Sequence, residues 1–252
     1  MAQFGELVQF DGSHHDWFEG RGAPCCLITM IEDATKIRLS QLFDEETMFG
    51  AMIVLKMWVE RYGIPESLYC DKKNAFVLTR EPTDAEILAG ILKPKSHFGK
   101  VCDRLGVEVI PANSAQAKGR VERNHGVDQD RLIKELRLEG VSAIEQANQF
   151  LLEKYLPKMN DKFSRPARNS DNAHVNLGKV KLDDILCMEF DRHISKDFIV
   201  RFQTRLFQIL KTNKPLPRTE NKVLVRIKLD NSVHIIWKDK PLLVKEIPTM
   251  FD

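Results

Sequence analysis

The chain has 252 residues, room for one large domain or a medium domain with a small one, and either can bury a core. Its 43% hydrophobic and 29% charged residues are the balance of an ordinary globular protein, with no run near the ~18 apolar residues of a membrane span and no signal-type N-terminus. The net charge of +2 divides unevenly: residues 1–112 carry 12 Lys+Arg against 17 Asp+Glu, and residues 113–252 carry 26 against 19, which suits phosphate contacts made mainly by the second half.

Leu7–Phe10 reads as a short first strand ending at Asp11. Pro24–Ile31 is almost continuously apolar, as expected of a strand buried on both faces. Asp33-Ala34-Thr35-Lys36 is a turn, and Ile37–Phe43 alternates like a half-exposed strand, so the three strands should form an antiparallel meander. From Glu45 to Tyr62 the period becomes helical, with Met48, Met52, Leu55, Val59 and Tyr62 on one stripe before the breaker Gly63-Ile64-Pro65. Ser67–Cys70 and Val107–Ile110 are the fourth and fifth strands. Between them lie an insertion over Thr79–Ser96, with a short helix near Asp84–Leu92, and a helix over His97–Leu105. Further helices are expected at Ala115–Leu138 and Ser142–Met159.

This order predicts an α/β fold of the RNase H-like kind, a mixed sheet with helices on both faces, over residues 1–165. Residues 166–190 have the composition of a connector. Short runs at Phe198–Phe202, Leu206–Leu210, Val223–Leu229, Val233–Trp237 and Leu242–Ile247 predict a small SH3-like β-barrel over 191–252. The five cysteines (Cys25, Cys26, Cys70, Cys102, Cys187) are odd in number, lack C-x-x-C spacing, and read as buried reduced thiols.

Three acids stand out by their settings. Asp11 and Asp71 each follow a β-type run, and Glu122 sits on a polar, basic helix. An RNase H-like polynucleotidyl transferase gathers three carboxylates in that order around divalent metal. Phosphodiester cleavage adds charge to the phosphoryl oxygens, and two hard cations about 3.5–4 Å apart activate the attacking oxygen and stabilise the leaving one. Mg²⁺ and Mn²⁺ take oxygen ligands, so carboxylates suit them and thiols do not. Three clustered carboxylates without metal would repel one another. As isolated residues each acid is more simply read as a strand-end or surface residue; the ordered set carries the expectation of two Mg²⁺ (or Mn²⁺) ions.

The surroundings of the acids match a family. Asp11-Gly12-Ser13 with His15-Asp16-Trp17-Phe18-Glu19-Gly20-Arg21-Gly22 resembles the first-aspartate region of bacterial DDE transposases of the ISNCY type. Ile31-Glu32-Asp33-Ala34-Thr35 is similar to their Asp-Asp-Ala-Thr turn, with Glu32 in place of the first Asp, and Tyr69-Cys70-Asp71-Lys72 to their second-aspartate strand. Ser114–Arg123 resembles the Ser-Pro-Gln-Ala-Lys-Gly-Arg-Val-Glu-Arg run around their catalytic Glu, with Ala115 where Pro is usual. The resemblance covers roughly Gly5–Ile247. It implies a retroviral-integrase-like catalytic core, a metal-dependent polynucleotidyl transferase that cleaves element ends and joins them to target DNA by 3′-OH attack.

It also implies assembly as a homo-oligomer on DNA, no membrane partner and a cytoplasmic, nucleoid-associated location. Such transposases begin with helix-turn-helix modules, whereas this chain enters the catalytic domain by residue 8, as a catalytic fragment, a truncated reading frame or a separately translated piece would. Asp71 and Glu122 are 51 positions apart, longer than the integrase-like spacing, and the Thr79–Ser96 insertion accommodates the difference.

Near the triad, Lys118 lies one turn before Glu122 and is a candidate phosphate contact, with an ordinary Lys–Glu pair as the alternative. Arg120, Arg123, Asn124 and Arg131 are candidates for DNA contact or for a solvated face, and His15 and Lys72 for supporting positions beside the metal. Trp17 and Phe18 read as core packing or as a platform for an unpaired base. Arg201, Arg205, Arg226 and Lys228 are further candidates to track DNA. Two other functions fit the same residues: an RNase H-type nuclease, and a truncated non-catalytic regulator that oligomerises with the full-length transposase.

Overall fold

The computed structural model describes the backbone of residues 1–71, 76, 78, 80–88, 90–112 and 115–248, and the side chains of all of these except 85 and 115–122. The chain forms two compact units, Met1–Val180 and Lys181–Asp252.

In the first unit β1 (Leu7–His15), β2 (Cys25–Glu32) and β3 (Arg38–Phe43) form the antiparallel meander, and β4 (Ser67–Cys70) and β5 (Glu108–Pro111) extend it in parallel. The order β3-β2-β1-β4-β5 is that of an RNase H-like mixed sheet. β2 is buried at every residue, as its unbroken apolar run requires.

One strand departs from expectation. β1 does not stop at Phe10 but continues to His15, so Asp11 lies inside the strand. The Asp-Gly-Ser sequence looks like a turn locally, but β2 pairs with β1 as far as His15↔Cys25 and holds it extended.

Helices cover both faces. Helix α1 (Met48–Tyr62) is capped by Thr47, whose hydroxyl accepts from Gly50 N, and packs on β2 and β3. Gly50 allows the close approach, since a Cβ there would meet Ile28 Cδ1 at 2.9 Å. Short helix α2 (Asp84–Leu88) lies in the insertion. Helix α3 (His97–Leu105) ends at Gly106 in the left-handed region at φ 75°, and packs against α1 and β5. Phe10, Phe76 and Phe98 form an aromatic cluster with ring centroids 5.1–5.7 Å apart.

Helix α4 (Ala115–Leu138) lies against β1, its Gln129 Nε2 donating to Ser13 Oγ at 3.3 Å. Helix α5 (Ile144–Phe150) runs through a π turn at Leu151–Tyr155 into α6 (Leu156–Phe163).

This helical run covers the edge of the sheet at β3. Asn148 accepts from Leu42 N and donates to Leu42 O; Asn160 does the same for Arg38. Two amides thus occupy the backbone positions at which an edge strand would otherwise recruit another strand.

Residues 172–175 strap across the same unit, with bridges Phe4↔Asn172 and Ile64↔Val175. His174 fastens the strap: its Nε2 accepts from Trp58 Nε1 at 3.0 Å, which leaves Nδ1–H for Asn172 Oδ1 at 2.8 Å.

The second unit is built from short strands after α7 (Leu182–Ile185). β6 (Cys187–His193), β9 (Lys222–Lys228), β10 (Val233–Trp237) and β11 (Lys240–Pro241) form one antiparallel sheet. β7 (Ile199–Phe202), β8 (Arg205–Ile209) and β12 (Val244–Ile247) form another. The all-β character matches expectation, but hydrogen bonding among the described residues gives sheets of four and three strands rather than one closed barrel. Phe190, Val200, Phe202, Phe207, Val225 and Ile235 alternate inward along these strands, and all but half-buried Phe190 are fully buried.

Candidate metal centre and its surroundings

Sheet register sets the position of the first two acids. Phe10 pairs with Cys70 in parallel, so Asp11 and Asp71 are the next residues along on neighbouring chains, with backbones about 4.8 Å apart if the strand spacing is kept. Both are half-buried. The Asp11 side chain is only 12% exposed.

Helix α4 supplies the third side. His125 Nδ1 lies 3.7 Å from Asp11 Oδ2, which fixes the helix face turned toward the strand. Position 122 precedes His125 by three residues and therefore falls on that face. Lys118, Arg120 and Glu122 are placed on α4 by their backbone only. Lys72, expected beside the second acid, lies outside the described residues.

The remaining expected residues have varied surroundings. His15 is exposed at the end of β1, with its ring edge-on to Trp17 at 5.5 Å. Trp17 and Phe18 are 0% and 1% exposed, so they are core and offer no platform for a base. Asn124 accepts from Arg38 Nη1 and donates to Asp128 Oδ2, binding α4 to β3. The Arg131 guanidinium stacks 5.6 Å over the Phe163 ring. In the second unit Arg205 pairs with Glu246, Arg226 with Glu189 and Lys228 with Asp184, at 2.6, 2.7 and 2.9 Å. These three cations are thus already matched by carboxylates of their own sheets.

Several groups escape a reading based on local sequence. His125 was signalled by its spacing of three from Glu122. His14, Cys26 and Glu46 bring one nitrogen, one sulfur and one oxygen within 4.8 Å of one another, a mixed donor set unlike the all-oxygen set that Mg²⁺ prefers. His14 and Cys26 are cross-strand partners, and no sequence spacing announces that register.

The most buried polar cluster joins α4 to β3. Arg38 Nη1 meets Asp128 Oδ1 at 2.9 Å, and Tyr155 donates its hydroxyl to the same oxygen at 2.8 Å. The π turn places Tyr155 there. Burial pushes the Asp128 carboxyl up, opposed by the Arg38 charge and by the hydrogen bonds from Tyr155, Arg38 and Asn124. Burial and the adjacent Asp128 push the Tyr155 phenol up as well. This network holds α4, and with it position 122, against the sheet.

Fold and register together define an RNase H-like α/β domain with paired acids at adjoining strands under one helix, followed by a small all-β unit. By sequence, the chain is similar along nearly all of its length to two bacterial proteins named as transposases. Transposase y4bF of Sinorhizobium fredii (strain NBRC 101917 / NGR234) is 34% identical over 242 residues, which is 95% of this chain and 51% of that protein. The transposase for insertion sequence IS1202 of Streptococcus pneumoniae is 30% identical over 246 residues, 96% of this chain and 51% of that protein. The chain therefore spans about half the length of these curated relatives.

No family model matches the chain. Among solved structures, the HTLV-2 integrase catalytic core domain in complex with magnesium, in its dimeric form, is 14% identical with a TM-score of 0.41 over 60% of this chain and 88% of that one. The catalytic core domain of BIV integrase is 20% identical with a TM-score of 0.40 over 60% and 84%. The simian T-cell lymphotropic virus intasome in complex with PP2A regulatory subunit B56 gamma gives 11% and 0.47 over 99% and 81%.

Proposed function

We propose that the chain is the catalytic part of a DDE transposase, a metal-dependent polynucleotidyl transferase that cleaves DNA strands and joins their 3′-OH ends to target DNA. The observation that carries this reading is the parallel register placing Asp11 beside Asp71, with α4 held over Asp11 at His125.

Asp11, Asp71 and Glu122 are the proposed ligands of two Mg²⁺ or Mn²⁺ ions. The donor set fits: hard, charged oxygens, with Asp11 and Asp71 partly withdrawn from water, on elements fixed by a sheet and a braced helix. Bound ions would supply charge stabilisation to the phosphoryl oxygens and lower the pKa of an attacking hydroxyl. The chain's own contribution is positional. Asp11 is held within a five-stranded sheet, and Asp71 directly follows the last residue of β4. His125 orients the Asp11 carboxylate, a role typical of groups one step removed from a metal. Lys118, Arg120, Arg123 and Arg131 are proposed to meet DNA phosphates. Homo-oligomeric assembly on DNA belongs to the same reading.

Asp71→Asn tests it. The change is nearly isosteric and removes one ligand charge, so strand transfer in Mg²⁺ should be abolished while the melting temperature of metal-free protein holds or rises slightly. Nicking or joining at the wild-type rate would refute the assignment. Activity on an RNA–DNA hybrid but none on element-end DNA would favour an RNase H-type nuclease.

A further inference from the structure

A second polar site lies on the same face of the sheet, beyond the acids. Lys36, Arg38, Arg123 and Arg165, with Asn124 and Phe163, line a cavity of about 390 Å³ between the turn after β2, the start of α4 and the end of α6. Among the described residues, no carboxylate lines it.

Its floor is Arg38, whose side chain is 3% exposed. Asp128 and Asn124 engage Nη1, but Nη2 is buried with no hydrogen-bond partner among the described residues. A buried guanidinium N–H without an acceptor is costly, and in native proteins its neighbourhood commonly holds one.

The walls add further cations, held by backbone carbonyls. Lys36 Nζ donates to the Asp33 carbonyl, and Arg165 Nε to the Ala34 carbonyl. Burial, followed by the charge of Arg165, holds the Lys36 ammonium below its usual range, with Arg123 adding to the effect and Glu32 opposing it. Glu32 is itself occupied by Ala34 N, Thr35 N and the Thr35 hydroxyl. Arg131 and Lys162 stand over the Phe163 ring at the rim. An anion with several acceptor oxygens is the ligand that such a grouping of cations suits.

We propose that this cavity is a phosphate-binding site, with a backbone phosphate of bound DNA as its favoured occupant. Arg38 pairs with Ile31, which pairs with Gln9, two residues before Asp11 on the same face. Two strand spacings and two residue rises put the Cα atoms of Arg38 and Asp11 about 12 Å apart. A strand engaged at the acids can therefore reach the cavity with a flanking phosphate. The favoured occupant rests on the transposase reading; the presence of a phosphate site does not.

The test uses the full chain in EDTA, so that failure of the metal assignment leaves it untouched. Inorganic phosphate, at ionic strength matched with chloride, should raise the melting temperature of the wild type. The double variant Lys36→Asn with Arg165→Gln should lose that rise and bind phosphate at least tenfold more weakly. Asn suits the left-handed backbone at residue 36, where φ is 68°. Val127→Glu gives an independent arm, because it puts a carboxylate into the cavity: the phosphate response should vanish with no fall in melting temperature. In the DNA arm, the slope of log K against log salt should become shallower by about 0.9 for the one phosphate lost. Phosphate binding lost with an unchanged DNA slope would assign the site to a free anion and overturn the DNA occupant. Folded variants with wild-type phosphate response and wild-type slope would overturn the site altogether.

Discussion

In the proposed metal centre, His125 is the group that would orient Asp11. Its ring reaches Asp11 from α4 at 3.7 Å, and both groups are almost buried. If His125 orients a ligand, His125→Ala should raise the Mn²⁺ concentration needed for half-maximal strand transfer by about 10–100-fold, the usual cost of removing such a partner. A metal titration of activity checks this, and a variant with reduced activity but an unshifted metal requirement would make His125 merely structural. Flanking residues alone are enough to propose Asp11, Asp71 and Glu122, whereas the cation cavity has no such mark, because Arg38, Arg123 and Arg165 come from distant parts of the chain and become neighbours only through the fold. Trp17 and Phe18 show the converse, since an aromatic pair beside an acid has no sequence mark that distinguishes core from platform.

Elements were legible where hydrophobic period decides them. The spans His97–Leu105, Ala115–Leu138 and Val233–Trp237 follow directly from periodicity and breakers. β1 was read short because Gly12 and Ser13 mimic a turn, and only long-range pairing with β2 overrides that signal. β6 has no clean alternation in sequence, because Glu189 and Asp191 pair across the sheet and Arg192 lies over the Phe190 and Phe202 rings. The strap at 172–175 has no periodic signal, yet it carries a pH-dependent contact. Burial lowers the His174 pKa from 6.5 to about 4, and Trp58 needs the neutral ring as acceptor. The unfolded chain therefore binds the extra proton first: stability is full above pH 6.5 and declines as pH falls toward 4. The shift corresponds to ~3 kcal/mol at most, and to about 2 kcal/mol after allowance for partial exposure. Urea midpoints at pH 7 and pH 4 should show that loss in the wild type, while His174→Gln, which keeps an acceptor but cannot titrate in this range, should lose about that much less. Equal pH sensitivity in the two proteins would remove His174 from the account.

For the whole molecule, charge and fold are complementary. The excess of cations lies after residue 112, while Asp11 and Asp71 lie before it, so the cation-rich stretch carries only one of the three proposed ligands, Glu122. DNA binding by residues 1–252 should accordingly be dominated by phosphates. The affinity should fall linearly with log salt at about −0.9 per phosphate, with little difference between element-end and scrambled duplex. A preference on the order of 10³-fold for the element end would place base-reading contacts within these residues.

Anomalous diffraction from crystals soaked in Mn²⁺ asks whether Asp11, Asp71 and Glu122 bind catalytic metal together. Two peaks about 3.5–4 Å apart, both within coordination distance of these carboxylates, are the predicted result. Ordered carboxylates at residues 11, 71 and 122 with no peak between them, in crystals where Mn²⁺ is bound elsewhere, would contradict it.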